Sequence, residues 1–291
     1  LKNNGKSLKL TTLGFTLIEL LAIIIILAIV ALVTTSIILD VVEDPYAVGD
    51  LLKVDVGGGQ SQNIYVLEVN GDEITGILDR NLGSTVAWIN QSDYDSAGGN
   101  WDSDSEEIYN QNLYKFGPIT ANKALEERTS SWSNVTSKKI PSAEDILKLT
   151  EFYQNLSDKS NWEREYFTDF YDFFQANESM QNCSSGRECR EVIIAAGGEK
   201  YLLPEWATIN LQTTGDCSEN AAYAYWTSTP MDYKVASVPD VAWCVYIGGG
   251  LDNRDVVNSG RAGVRPVVTI DISKVQSKLE GPEYIDGIEC E

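Results

Sequence analysis

Glu19 is the only ionisable side chain in the 25 residues from Phe15 to Leu39. A lone carboxylate in such surroundings costs roughly 3 kcal/mol or more near a bilayer centre. Its chemistry is therefore that of a counter-ion, which needs a cation within reach. The other reactive side chains are thiols and acids. Five cysteines are present, Cys183, Cys189, Cys217, Cys244 and Cys290, and outside a reducing compartment they can oxidise. Cys183 and Cys189 enclose a short loop that a disulfide could staple, which leaves Cys217 and Cys244 as a second pairing and Cys290 over. Connectivity does not follow from sequence. Residues 90–112 hold Asp93, Asp95, Asp102, Asp104, Glu106 and Glu107. Their spacing fails the EF-hand template, with Ala97 at the fifth position and Asp104 at the twelfth. A solvated polar loop is the favoured reading, and a Ca²⁺ loop the alternative. No C-x-x-C pair suggests zinc, and with histidine absent imidazole acid–base chemistry and imidazole metal ligands are excluded. No metal or other cofactor is expected.

The element that must carry Glu19 is an apolar helix. Twenty-five residues at about 1.5 Å each reach about 37 Å, enough for a hydrocarbon core of about 30 Å. Gly14-Phe15-Thr16-Leu17-Ile18-Glu19-Leu20-Leu21 resembles the processing signal of type IV pilins and pseudopilins. The resemblance implies cleavage after Gly14 by a prepilin peptidase and methylation of the new N-terminus at Phe15. Glu19 then stands at the fifth mature position. Cleavage creates an α-ammonium with a pKa of about 8, and Glu19, one helical turn on, can meet the ammonium of its own or an adjacent subunit. That pairing would set the stagger between subunits. Many members carry proline where this chain has Ser36, so Thr34-Thr35-Ser36 offers only weaker bending by hydroxyl back-bonding.

Charge sets orientation and excludes partners. Lys2, Lys6 and Lys9 precede the apolar run, while Asp40, Glu43 and Asp44 follow it. By the positive-inside tendency the leader is cytoplasmic and the remainder outside. The net charge is −21, from 22 basic and 43 acidic residues. Such a surface repels phosphate backbones, so no direct nucleic-acid contact is expected. The organisation read from the chain is a leader over 1–14, a transmembrane and assembly helix over 15–44 and an extracellular head over 45–291.

Within the head, Leu51–Val56, Ile64–Val69 and Ile74–Leu78 alternate as strands separated by Gly57-Gly58-Gly59 and Asn70-Gly71-Asp72, an antiparallel meander. Helices are expected from Ile119 to Trp132 with Thr120 as N-cap, from Ser142 with Asp145 three residues on, and over 161–176 with an aromatic stripe turned to the core. Strands return at 222–227, 241–247 and 264–272.

Four separated pieces in order, Lys139–Ile146, Tyr225–Thr229, Ala242–Tyr246 and Gly263–Val267, are similar to bacterial C-type-lectin-like domains, including those related to the formylglycine-generating-enzyme fold. The resemblance covers about residues 115–275. It implies an α+β fold with a mixed, mainly antiparallel sheet behind the transmembrane helix. Trp226 and Trp243 are expected in the core, and Arg265 is expected to pair with a buried carboxylate. Ligands in such folds meet long irregular loops, which points to Gly248–Gly263 with Asp252, Asn253, Arg254 and Asp255. No motif reproduces the cysteine-based site of the enzyme members.

The expected function is a non-enzymatic pilin-like subunit displaying an adhesive head. Its partners are prepilin peptidase, the pilus or secretion assembly machinery, other pilins, the membrane, and a glycan or protein ligand. A pseudopilin of a secretion or DNA-uptake machine and an anchored enzyme are the rival readings. Replacing Glu19 with alanine should leave membrane insertion intact and sharply lower filament yield, measured by shearing and quantifying surface fibres; undiminished yield contradicts the counter-ion role.

Overall fold

The structure is a computed structural model that describes residues 18, 20–28, 45–101, 113–177, 186–208, 224–231, 240–246, 248–256 and 262–280. The chain divides into two compact units, Leu1–Pro45 and Tyr46–Glu291. In the first, the described part of helix α1, residues 20–28, is exposed throughout. The expected membrane-spanning helix over 15–44 is corrected here: among the described residues no helix is long and apolar enough to cross a membrane.

The second unit is α+β and mainly antiparallel. Its strands β1 (Leu51–Gly57), β2 (Gln60–Asn70) and β3 (Glu73–Leu78) form the expected meander. Gly57, Gly58 and Gly59 turn the first corner with φ of 89°, 61° and 73°, the left-handed region that glycine enters without a Cβ penalty. A Cβ on Gly57 would also stand 2.2 Å from Ser133 Oγ. Strand β9 (Val267–Asp271) lies beside β3 with Ile74 opposite Ile270, and β4 (Val135–Lys139) closes that side. Strand β10 (Val275–Leu279) returns to pair with β1, giving the order β10-β1-β2-β3-β9-β4. Period-two alternation sends Leu52, Val54, Ile64, Val66, Ile74 and Val268 to one face, all fully buried. Edge residues Val135 and Val275 and the indole of Trp132 pack on the same cluster.

The second sheet has the order β7-β6-β5-β8, from β5 (Ala224–Pro230), β6 (Val241–Tyr246), β7 (Leu251–Asp255) and β8 (Ala262–Gly263). Strands β5 and β8 run parallel, and a Leu82–Val264 bridge joins the β3 and β8 ends of the two sheets. Strands β5 and β6 are apolar at successive positions because both of their faces are buried. Tyr225, Trp243 and Val245 face the core shared with Tyr65 and Ile77 of the first sheet. Ala224, Trp226, Ala242 and Cys244 face an opposite core with Trp88 and Leu125. The expected core positions of Trp226 and Trp243 hold, and both indoles are satisfied. Trp226 Nε1 donates to Val86 O at 2.7 Å and Trp243 Nε1 to Glu163 Oε1 at 2.8 Å.

Helices fill the remaining sides. These are α2 (Gln91–Ser96), α3 (Ile119–Arg128), α4 (Ala143–Leu147), α5 (Glu151–Asn155), α6 (Trp162–Gln175), α7 (Gly186–Ala195) and α8 (Glu205–Thr208). Ser142 caps α4 as expected, its hydroxyl accepting from Asp145 N at 3.0 Å. The aromatic stripe of α6 is core: Tyr166 is buried and stacks on Phe170 at 5.5 Å. Thr120 is not the cap of α3. Pro118 occupies that position, and Thr120 Oγ1 instead accepts from Asn90 N at 2.8 Å. The acidic stretch after residue 90 begins as helix α2 rather than loop, because Asn90 accepts the N–H of Asp93 and caps it.

Arg265 lies between the sheets at 0% exposure. Its Nε donates to Leu78 O at 2.6 Å and its Nη2 to Trp206 O at 2.9 Å; Nη1 donates to Ala207 O. The expected carboxylate partner is corrected to three main-chain carbonyls. The nearby buried acid, Asp79, is held by Arg80 at 2.8 Å and by Asn63 at 3.2 Å. Replacing Arg265 with methionine removes one donor from each of three carbonyls, Ala207 O keeping the Tyr225 hydroxyl, and should cost about 2–5 kcal/mol at roughly 1–3 kcal/mol per acceptor left short, read as a lower urea midpoint. Arg265→Lys should recover less than half, since an ammonium lacks the planar fork; full recovery would contradict the geometry.

Candidate functional site

Strand β7 carries the residues expected to meet a ligand. The expectation of an irregular loop is corrected: Asp252, Asn253, Arg254 and Asp255 belong to a strand, with Asp252 opposite Cys244 and Arg254 opposite Ala242. The cause is β6. A buried strand needs partners for its backbone N–H and C=O groups, and β7 supplies them despite polar side chains that disfavour strands. Among the described residues β7 is an edge, paired only with β6.

The base of β7 is tied down by three other elements. Gly249 has φ of 94° and its carbonyl accepts from Leu203 N at 2.7 Å. Leu251 N donates to the Tyr166 hydroxyl at 3.2 Å. From α7, Arg190 Nη2 donates to Leu203 O at 3.0 Å. A Cβ on Gly249 would stand 2.4 Å from Arg190 Nη1, so the guanidinium packs directly on the turn and only glycine leaves room for it. Arg190 Nε faces Glu205 Oε1 at 3.8 Å. Burial pushes the Tyr166 phenol up, and the negative charge of half-buried Asp252 pushes it the same way.

Several other residues singled out in the sequence have structural duties. Lys123 and Thr120 both hydrogen-bond the Asp93 carboxylate and hold it below the usual carboxylate range. Asp95 accepts from Trp101 N at 3.1 Å. Asp102, Asp104, Glu106 and Glu107 lie outside the described residues. Among the described residues no group of three or more His, Cys, Asp or Glu could hold a metal ion.

Cys244 is a buried thiol, which corrects the Cys217–Cys244 pairing. It sits in the interior of β6, opposite Trp226 across the β5 pairing and inside an apolar cluster. Cys189, on α7, is disulfide-bonded, while Cys183, Cys217 and Cys290 lie outside the described residues. So do Gly14, Phe15 and Glu19.

Arg190 and Glu205 were not legible as a pair. They are 15 residues apart, on separate short helices, and no motif joins them. Among the described residues, the arrangement offers an edge strand whose foot, at Gly249, packs on a partly satisfied guanidinium. Comparison with family models, curated proteins and solved structures returns no match.

Two buried phenols give a pH signature. A hydrogen bond from Tyr153 to Glu144 at 2.5 Å raises Tyr153 to about 12, and burial raises Tyr225 to about 12. For both, the neutral form is favoured in the folded state. Their contribution to stability is complete below the unfolded value of about 10 and is lost as pH rises from there towards 12. Ultraviolet titration should show a delayed class of phenolates, with the thermal midpoint falling over the same interval. Ionisation of every tyrosine near pH 10 in the folded protein contradicts this.

Proposed function

We propose that this chain is a non-enzymatic type IV pilin-like subunit. It is cut by a prepilin peptidase between Gly14 and Phe15 and displays an α+β head for surface adhesion or filament assembly. The observation that carries the reading is the octapeptide from Gly14 to Leu21, with Glu19 four residues beyond the new N-terminus. The ammonium released by cleavage and the Glu19 carboxylate are complementary charges in an apolar setting, where neither is tolerated alone. The subunit resides in the cytoplasmic membrane before assembly and in a surface filament afterwards. Its partners are the peptidase, the assembly machinery and other pilins.

Two features support a binding head. Among the described residues, strand β7 is an edge with Asp252, Asn253, Arg254 and Asp255 on it, a main-chain ladder that an extended partner could join. The net charge of −21 disfavours phosphate polymers as ligands and favours glycan or protein partners. N-terminal sequencing of protein recovered from the membrane and from sheared filaments tests the processing step. The expected first residue is Phe15, methylated at its α-nitrogen. A chain that retains Lys2, Lys6 and Lys9 in both fractions overturns the reading.

A further inference from the structure

Arg190 differs from the other described cations around it in how its donors are spent. Its side chain is 19% exposed, and both Nε and Nη1 are shielded from solvent with no hydrogen-bond partner among the described residues. Only Nη2 is used, on Leu203 O at 3.0 Å. A desolvated donor without an acceptor is costly, and a guanidinium does not escape that cost by losing its proton. The nearest counter-charge is Glu205, whose side chain is 63% exposed and whose carboxylate stands 3.8 Å from Nε, too far for a hydrogen bond. The guanidinium packs against Gly249, at the foot of β7.

We propose that Arg190 is an anion-recognising side chain for the carboxylate of a sugar acid, and that Glu205 is a loosely held stand-in which the ligand displaces. The group now nearest to Nε is itself a carboxylate, so the replacement is like for like. A single negative charge also suits a chain of net charge −21 better than a phosphate dianion. Displacement moves only an exposed side chain and gives the buried Nε an acceptor. The ligand class named here rests on the adhesive reading of the head; the binding measurement does not.

The test is calorimetric titration of the full chain with glucuronate, with glucose and N-acetylglutamate as controls. Glu205→Ala should bind glucuronate about tenfold more tightly than the unaltered protein, the scale of one charged hydrogen bond. Arg190→Gln in the Glu205→Ala background should abolish that binding, and glucose should not bind. A folded Glu205→Ala protein, with unchanged circular dichroism and thermal midpoint, that binds glucuronate no better than the parent overturns the proposal. Binding that survives Arg190→Gln overturns it too, and equal binding of N-acetylglutamate overturns the sugar assignment. Arg190-dependent glucuronate binding in cells that show no adhesion upholds the site and removes the adhesive reading alone.

Discussion

The second unit is organised around a guanidinium that is fully buried. Arg265 reaches the carbonyls of Leu78 at the end of β3 and of Trp206 and Ala207 on α8, with its charge 5.2 Å from the centre of the Tyr225 ring on β5. Burial pushes its pKa down, yet Tyr225, Asp79 and Tyr65 all act to keep the proton in place. The carbonyls it serves lie on the last residue of β3 and within the single turn of α8, two elements that the side chain bridges. A rigid planar donor makes that bridge in one side chain. The Tyr225 hydroxyl adds a bond of 3.2 Å to Ala207 O, so sheet, helix and turn meet at one hub.

The two sheets bury themselves differently. The six-stranded sheet sets aside one face for a core of its own, with Val135 and Val275 contributed by opposite edge strands. The four-stranded sheet is covered on both sides, and its indoles need polar partners as well as apolar neighbours. The Trp243–Glu163 bond ties that sheet to α6. The result is a stiff central pair, β5 and β6, with the more polar β7 carried along because its backbone completes the ladder.

An acidic chain has to place its carboxylates with care, and the described residues show two solutions. Asp93 and Asp79 are inward and paired with a lysine and an arginine respectively. Asp50, Asp145 and Asp169 are more exposed and each meets a lysine, contacts worth little individually in water. The inward pairs position elements: Asp93 links α2 to α3, and Asp79 braces the end of β3 beside Arg265. Cations are few enough that a partly spent one, Arg190, stands out against this background.

Local signals decided a good deal. The glycine-separated meander, the Ser142 cap, the aromatic face of α6 and the burial of Trp226 and Trp243 all follow from periodicity or from a capping residue, which act over a few neighbours. The Gly14–Glu19 signal is likewise a statement about sequence. What the sequence did not disclose depends on partners far along the chain. Residues 251–255 look like a loop by composition, and only the unmet backbone of β6 makes them a strand. Arg265 looks like one half of an ion pair, and only the convergence of β3 and α8 supplies carbonyls instead. Counting pairs Cys244 with Cys217, yet Cys244 lies inside β6, in register with Trp226 and within an apolar cluster. Short-range preference specifies elements; desolvation and hydrogen-bond satisfaction, which require the assembled neighbours, specify what each polar group is for.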